Sequence, residues 1–329
     1  MNFTLHRTAA LVTAFSLLGF LQIGCNNTNS DKQKAAADSI IASGQTSTGA
    51  IKPPHDTLEH MRTTTEQADT NQVNTPTTDG TTQTPATAVN NLPQAPDFQQ
   101  DTTKKYVYLT FDDGPQPGTM NVYHILNELG VKGTFFMVGL HATYGQMGKI
   151  VDTIRNSYPN ILLANHSYTH ANGHYLAFYR NHDKCFEDFM KAQRDLKVER
   201  KYIRLPGNSG WVLESGTKAS PLVAPVAKLL DSAGYSVFGW DVEWSMKRDP
   251  KGPGSVPVES ADRMIAEMEG ALNNHRTHRK NTVVLLSHDR MFHRDNYRDS
   301  LYKMISTLKT RHPNYVFETV ENYPGANRN

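Results

Sequence analysis

From residue 101 onward, seven short apolar runs rich in β-branched and aromatic residues alternate with segments of helical period, and that alternation leaves few folds open. The strand candidates are 106–111 (YVYLTF), 134–138 (TFFMV), 161–165 (ILLAN), 202–205 (YIRL), 235–240 (YSVFGW), 282–287 (TVVLLS) and 315–319 (YVFET). Between them apolar residues recur at i, i+3, i+4 and i+7: Val122, Ile125, Leu126 and Leu129; Ala261, Met264, Ile265 and Met268; Leu301, Met304, Ile305 and Leu308. Strands that alternate with helices pair in parallel, because each helical crossover returns the chain to the same end of the sheet. Residues 101–329 suffice for one α/β barrel of about seven parallel strands, and a doubly wound open sheet gives a similar string. Nothing in the pattern marks a second core.

The first hundred residues read as lying outside that core. An apolar run from Ala9 to Ile23 follows Arg7 and ends in Gly24-Cys25. It is short for a membrane span and reads as a secretory signal peptide over 1–25. Its end resembles a lipoprotein cleavage box, with Gln22 where such boxes usually carry Leu. Cys25 would then be lipidated, anchoring the mature chain to a membrane in the cell envelope. Residues 26–100 are Thr, Gln, Asn, Asp, Ala and Pro with few large apolar groups, a composition that stays a disordered linker because it cannot offset its ordering entropy. The one other cysteine, Cys185, shares a helical face with Phe189, Ala192 and Leu196, which predicts a buried, inert thiol. A net charge of +2, without a basic stripe interleaved with aromatics, argues against nucleic acid as a partner.

Reactive side chains fall where the predicted strands end. Asp112 and Asp113 follow the first strand, His166 and His170 the third, Arg204 lies in the fourth, Asp241 follows the fifth and His288 the sixth. In parallel α/β folds those carboxyl ends gather on one rim, where sites are built. The HSYTH segment sets two imidazoles four residues apart, within reach of one metal. Isolated, that spacing says little; with an aspartate on the same rim it becomes a three-ligand set with open coordination positions. Of the paired aspartates, one can bind the cation while its neighbour takes a proton from water.

TFDDGP, HSYTH, the Arg-x-Pro segment RLPG, GWDVEW and LLSHD, in that order, resemble the polysaccharide deacetylases with the NodB-homology domain, carbohydrate esterase family four. The likeness spans nearly all of the region 101–329. It implies a distorted (β/α) barrel and metal-dependent hydrolysis of acetyl groups on sugars. It also implies that Asp113, His166 and His170 hold a divalent ion, Zn2+ first and Co2+ as another occupant, with Asp112 as general base oriented by Arg204. His288 becomes the general acid, supported by the fourth-motif aspartate. Here the usual Asp-Trp reads Glu243-Trp244, with Asp241 two residues earlier, so either carboxylate can serve, and Asp241 is the one expected. A backbone N–H, that of Gly207, would face the oxyanion, and Leu286 and Trp244 would seat the acetyl methyl. Trp211 offers a sugar-stacking platform or core packing. The family's aromatic after the third-motif proline is missing at Pro206-Gly207-Asn208, which alters the groove wall. The other histidines, among them His141, His174, His182, His275, His278 and His293, lie in polar stretches and are expected in solvent.

The expected activity is removal of N-acetyl groups from an extracytoplasmic polysaccharide of peptidoglycan or poly-N-acetylglucosamine type. An O-acetyl glycan esterase and a catalytically silent carbohydrate-binding lipoprotein are the rivals.

Overall fold

A computed structural model describes residues 98–326. The expected signal segment with Cys25, and the expected linker as far as residue 97, lie outside the described residues; residues 98–100, also expected in the linker, are instead packed on the domain, because Phe98 meets the Tyr106 ring edge-on and Gln100 donates to the Tyr108 hydroxyl. The first strand, β1 (Lys105–Asp112), shows why the sheet is covered on both sides. Val107, Leu109 and Phe111 alternate with Tyr106 and Tyr108. The first set joins an apolar cluster built with helices; the second joins Phe136, Phe238 and Val284 on the opposite face.

Eleven further strands follow among the described residues: β2 (Gly133–Met137), β3 (Ile161–Asn165), β4 (Tyr202–Ile203), β5 (Gly210–Leu213), β6 (Gly216–Ala219), β7 (Ser236–Val237), β8 (Val242–Glu243), β9 (Met246–Arg248), β10 (Ser255–Pro257), β11 (Thr282–His288) and β12 (Tyr315–Phe317). The helices are α1 (Thr119–Leu129), α2 (Met147–Arg155), α3 (Tyr175–Arg180), α4 (His182–Asp195), α5 (Ala224–Ser232), α6 (Ala261–Asn273) and α7 (Asp295–Arg311). The main sheet runs β6-β5-β7-β4-β3-β2-β1-β11-β8, with β12 beside the first residues of β1. It is a distorted α/β barrel whose strand order ends at β6 and β8.

All seven predicted runs contain strands, and the predicted helical stretches are α1, α6 and α7. The sheet is nevertheless larger than seven strands and not wholly parallel. The hairpin β5–β6 pairs antiparallel to β7, and β9–β10 forms a separate two-stranded ribbon. Two runs are shorter than their apolar lettering suggests. β7 stops at Val237 because the carbonyls of Phe238 and Gly239 are taken by the Arg204 side chain. β4 stops at Ile203, after which the Arg204 carbonyl accepts from His166 and Pro206 has no N–H to give. Cys185 is a free, fully buried thiol packed with Phe189, and burial pushes it well above its ordinary range.

Candidate metal centre and catalytic rim

The centre begins at the end of β1. Strand alternation puts Thr110 and Asp112 on the face opposite Phe111, and would send Asp113 back toward the helices. It does not, because Asp113 takes a left-handed conformation (φ 73°) just beyond the strand. A non-glycine residue held there is uncommon and costs backbone strain, which clusters at functional sites. The consequence is that both carboxylates approach one imidazole: His166 Nε2 lies 3.5 Å from Asp112 Oδ2 and 3.7 Å from Asp113 Oδ1.

The HSYTH turn after β3 is built the same way, with positive φ at Ser167 (68°), His170 (51°), Ala171 (57°) and Asn172 (47°). His170 Nε2 thereby reaches 3.1 Å from Asp113 Oδ1. One ligand atom from each of Asp113, His166 and His170 lies within 4.8 Å of the others. Asp113 Oδ1 is buried yet has no hydrogen-bond donor aligned on it. Three lone-pair donors gathered this closely fit a divalent cation of the kind bound by imidazole and carboxylate. The outer nitrogen of His166, Nδ1, donates to the Arg204 carbonyl at 2.9 Å, which leaves Nε2 as the ligating atom.

Electrostatics agree with that assignment. Burial pulls His166 down to about 4, against the nearby Asp112, so its imidazole is neutral near pH 7. Burial alone would raise the Asp113 carboxyl, but the close His170 and the charges of His288, His170 and His166 hold it well below its ordinary value. His170 moves up: burial lowers it, and its contact with Asp113 and the Asp113 charge outweigh that.

Asp112 has a different set of partners. Arg204 is fully buried and donates from Nη1 to Asp112 Oδ1 at 3.0 Å and to Thr110 Oγ1 at 2.5 Å. Its other two nitrogens are fixed on the Phe238 and Gly239 carbonyls at 3.1 and 2.9 Å. His288 closes β11 directly beside Asp112, the two being paired across the parallel ladder. Leu286 pairs with Thr110 on one side and Glu243 on the other, in the row below. Gly207 lies exposed (φ 62°) in the turn after Arg204, against the Tyr175 ring.

Three expected site residues are elsewhere engaged. Asp241 accepts the backbone N–H of His278 at 2.6 Å and of Val284 at 2.8 Å, so its carboxylate ties a loop to β11 instead of reaching His288. His288 Nδ1 is buried without a hydrogen-bond partner, and Glu243 is the fourth-motif carboxylate that feels the His288 charge. Trp211 is only 5 % exposed, stacked on His278 (centroids 4.1 Å) and on Tyr323 (5.4 Å), which leaves no ring face for a sugar. Trp244 is fully buried, donating from Nε1 to the Glu259 carbonyl and edge-on to Phe292; it supports the rim from beneath.

Other contributors are invisible in a motif reading. His141, expected in solvent, is half-buried and donates from Nδ1 to the Asp113 carbonyl at 2.6 Å, pinning the left-handed residue. Its place just after β2, on the same rim, was the available signal. Asp289 is fully buried, bonded to Thr119 and packed against Gly114, where a Cβ would come within 2.6 Å of its Oδ2.

Residues 99–209 match the family model described as polysaccharide deacetylase. A chitin disaccharide deacetylase of Vibrio alginolyticus is 24 % identical over 315 aligned positions, covering 69 % of this chain and 73 % of that protein. Among solved structures, a peptidoglycan N-acetylglucosamine deacetylase crystallised with a hydroxamate ligand is 28 % identical, covers 66 % of this chain and 87 % of its own, and superposes with a TM-score of 0.47. A family 4 carbohydrate esterase of Streptococcus mutans is 22 % identical, covering 66 % and 86 %, with a TM-score of 0.49.

Proposed function

Since the chain belongs to the polysaccharide deacetylase family, we propose that it is a metal-dependent hydrolase that removes N-acetyl groups from a glycan and releases acetate. The observation that carries this reading is the joint placement of Asp113, His166 and His170 around common space, beside an Asp112 fixed by Arg204. The N-acetylated sugar follows the substrate in the name of the Vibrio alginolyticus relative.

A divalent cation bound in such a site supplies Lewis acidity toward a carbonyl oxygen and toward water. Asp113, His166 and His170 hold it, with the His166 ring orientation set by the Arg204 carbonyl. Asp112, held by the guanidinium and facing the same space, accepts the proton of the attacking water. His288, one strand away and level with Asp112, gives a proton to the departing nitrogen. Arg204 cannot swing, since four bonds fix it, so the base is aimed before substrate arrives. Gly207 presents its backbone to the oxyanion and Leu286 borders the acetyl methyl. We further propose that the domain spans 101–329 and works outside the cytoplasm on peptidoglycan-like or poly-N-acetylglucosamine polymer, tethered through Cys25.

The test is acetate release from N-acetylated oligosaccharides, followed by mass spectrometry. Exhaustive chelation should abolish release and Zn2+ or Co2+ should restore it. A rate indifferent to chelation, or release confined to O-acetylated sugars, rules the proposal out.

A further inference from the structure

The run of positive φ values from His170 through Gly173 (51°, 57°, 47° and 76°) turns the chain back on itself. Tyr175, at the start of α3, is carried over His170 by that turn. Its hydroxyl lies 3.4 Å from His170 Nδ1, and its ring stands edge-on to the imidazole, with centroids 5.7 Å apart and planes at 84°. On its other side the ring rests on Gly207. A Cβ built at position 207 would lie 2.9 Å from Tyr175 Cε1 and 3.0 Å from Cζ, closer than side-chain carbons pack.

These contacts have a chemical reading. His170 Nε2 faces Asp113, so Nδ1 is the outer nitrogen; when Nε2 ligates, Nδ1 carries the proton and requires an acceptor. For His166 that acceptor is the Arg204 backbone carbonyl. For His170 it is the Tyr175 phenol oxygen. The two imidazoles therefore have outer partners of different kinds, one backbone and one removable by a side-chain change.

We infer that Tyr175 is a positioning residue that holds His170 in its ligating orientation, and that position 207 is glycine because the Tyr175 ring fills the space a side chain would need. This rests on the metal-dependent reading above. In the full chain, Zn2+ affinity is measured by competition with a chromophoric chelator for wild type, Tyr175→Phe, Gly207→Ala and the double variant, alongside kcat and KM.

Tyr175→Phe keeps the ring and removes the acceptor, so affinity should fall about tenfold, the low end for loss of an outer partner of a ligating histidine, with KM little changed. Gly207→Ala displaces the ring, so it should weaken Zn2+ to a similar extent, and the double variant should be no worse than the weaker single one, as expected for residues acting on one contact. Wild-type uptake of Zn2+ with Tyr175→Phe within about twofold of it overturns this inference alone, as do additive losses in the double variant. A wild-type chain that takes up no Zn2+ overturns the metal-dependent reading and this one together.

Discussion

Arg204 Nη1 and Asp112 Oδ1 meet at 3.0 Å in a setting where the arginine has no contact with water, the same nitrogen also donates to Thr110, and the other two nitrogens are spent on backbone carbonyls. A guanidinium fork fixed at several points aims the carboxylate as a single-point ammonium cannot. It also makes the pair costly to break, because either partner left alone is a buried charge without compensation.

Arg204→Met should therefore damage stability and rate together. Removal of one partner of a buried pair costs about 3–5 kcal/mol, readable as a shift in the denaturant midpoint. Arg204→Lys keeps the charge and loses the fork, and should retain more stability than activity. Equal losses of both in the lysine variant would argue that Arg204 serves the fold alone.

Asp112→Asn separates base from ligand. The variant should lose about a hundredfold or more in kcat, the scale of a missing general base, while Zn2+ affinity stays near wild type. Asp113→Asn should do the reverse in affinity. If chelator competition shows both variants equally impaired in binding, the division of labour between the adjacent aspartates is wrong.

Zn2+ binding should weaken on acidification in a window set by His170. His166 is pulled by burial to about 4 and is already unprotonated above that. His170 is raised above the ordinary 6.5, so protons compete there first. Affinity should drop about tenfold per pH unit below the His170 transition, since one proton must leave for the metal to bind. Affinity that stays flat until about pH 4 would assign the competition to His166 instead.

Asp289 predicts a pH effect on stability in chelated protein. Burial, with the Asp113 charge adding to it, pushes its carboxyl from 3.8 up to about 8, although Thr119 donates to it. Between those values the folded chain keeps a proton that the unfolded chain releases, so this residue's share of stability declines as pH rises. Asp289→Asn cannot ionise and its carbonyl can still accept from Thr119. Its thermal midpoint near pH 8 should exceed wild type by about 3 °C or more, with the gap closing toward pH 4.

Trp211→Ala and Asp241→Asn should behave as structural changes. Loss of the buried indole costs about 3–5 kcal/mol, and an Asn at 241 turns an amide N–H toward a backbone N–H that now has an acceptor. Glu243→Gln should instead lower kcat with little loss of stability. A KM effect from Trp211→Ala without loss of stability would restore the sugar platform.

The sequence by itself determined which segments become the principal strands and which ends of them carry chemistry. Short apolar runs such as TVVLLS and ILLAN, rich in β-branched residues or bounded by helical segments, read as strands of a sheet buried on both faces, and parallel pairing then brings Asp112, His166, Arg204 and His288 to one rim. Short strands were out of reach: β5, β6 and β8–β10 are two to four residues long, too brief for periodicity to register.

Only the tertiary structure decided which carboxylate faces what. Asp241 and Asp112 both read as aspartates that follow strands, yet one accepts two backbone N–H groups and the other an arginine. Trp211 reads as a loop aromatic until His278 and Tyr323 cover its faces. Asp113 reaches His166 and His170 because its φ is positive, a property of the closed fold that no residue type announces. The physical reason is range: burial pattern and rim position follow from local alternation, whereas a side chain's partners come from segments scores of residues away.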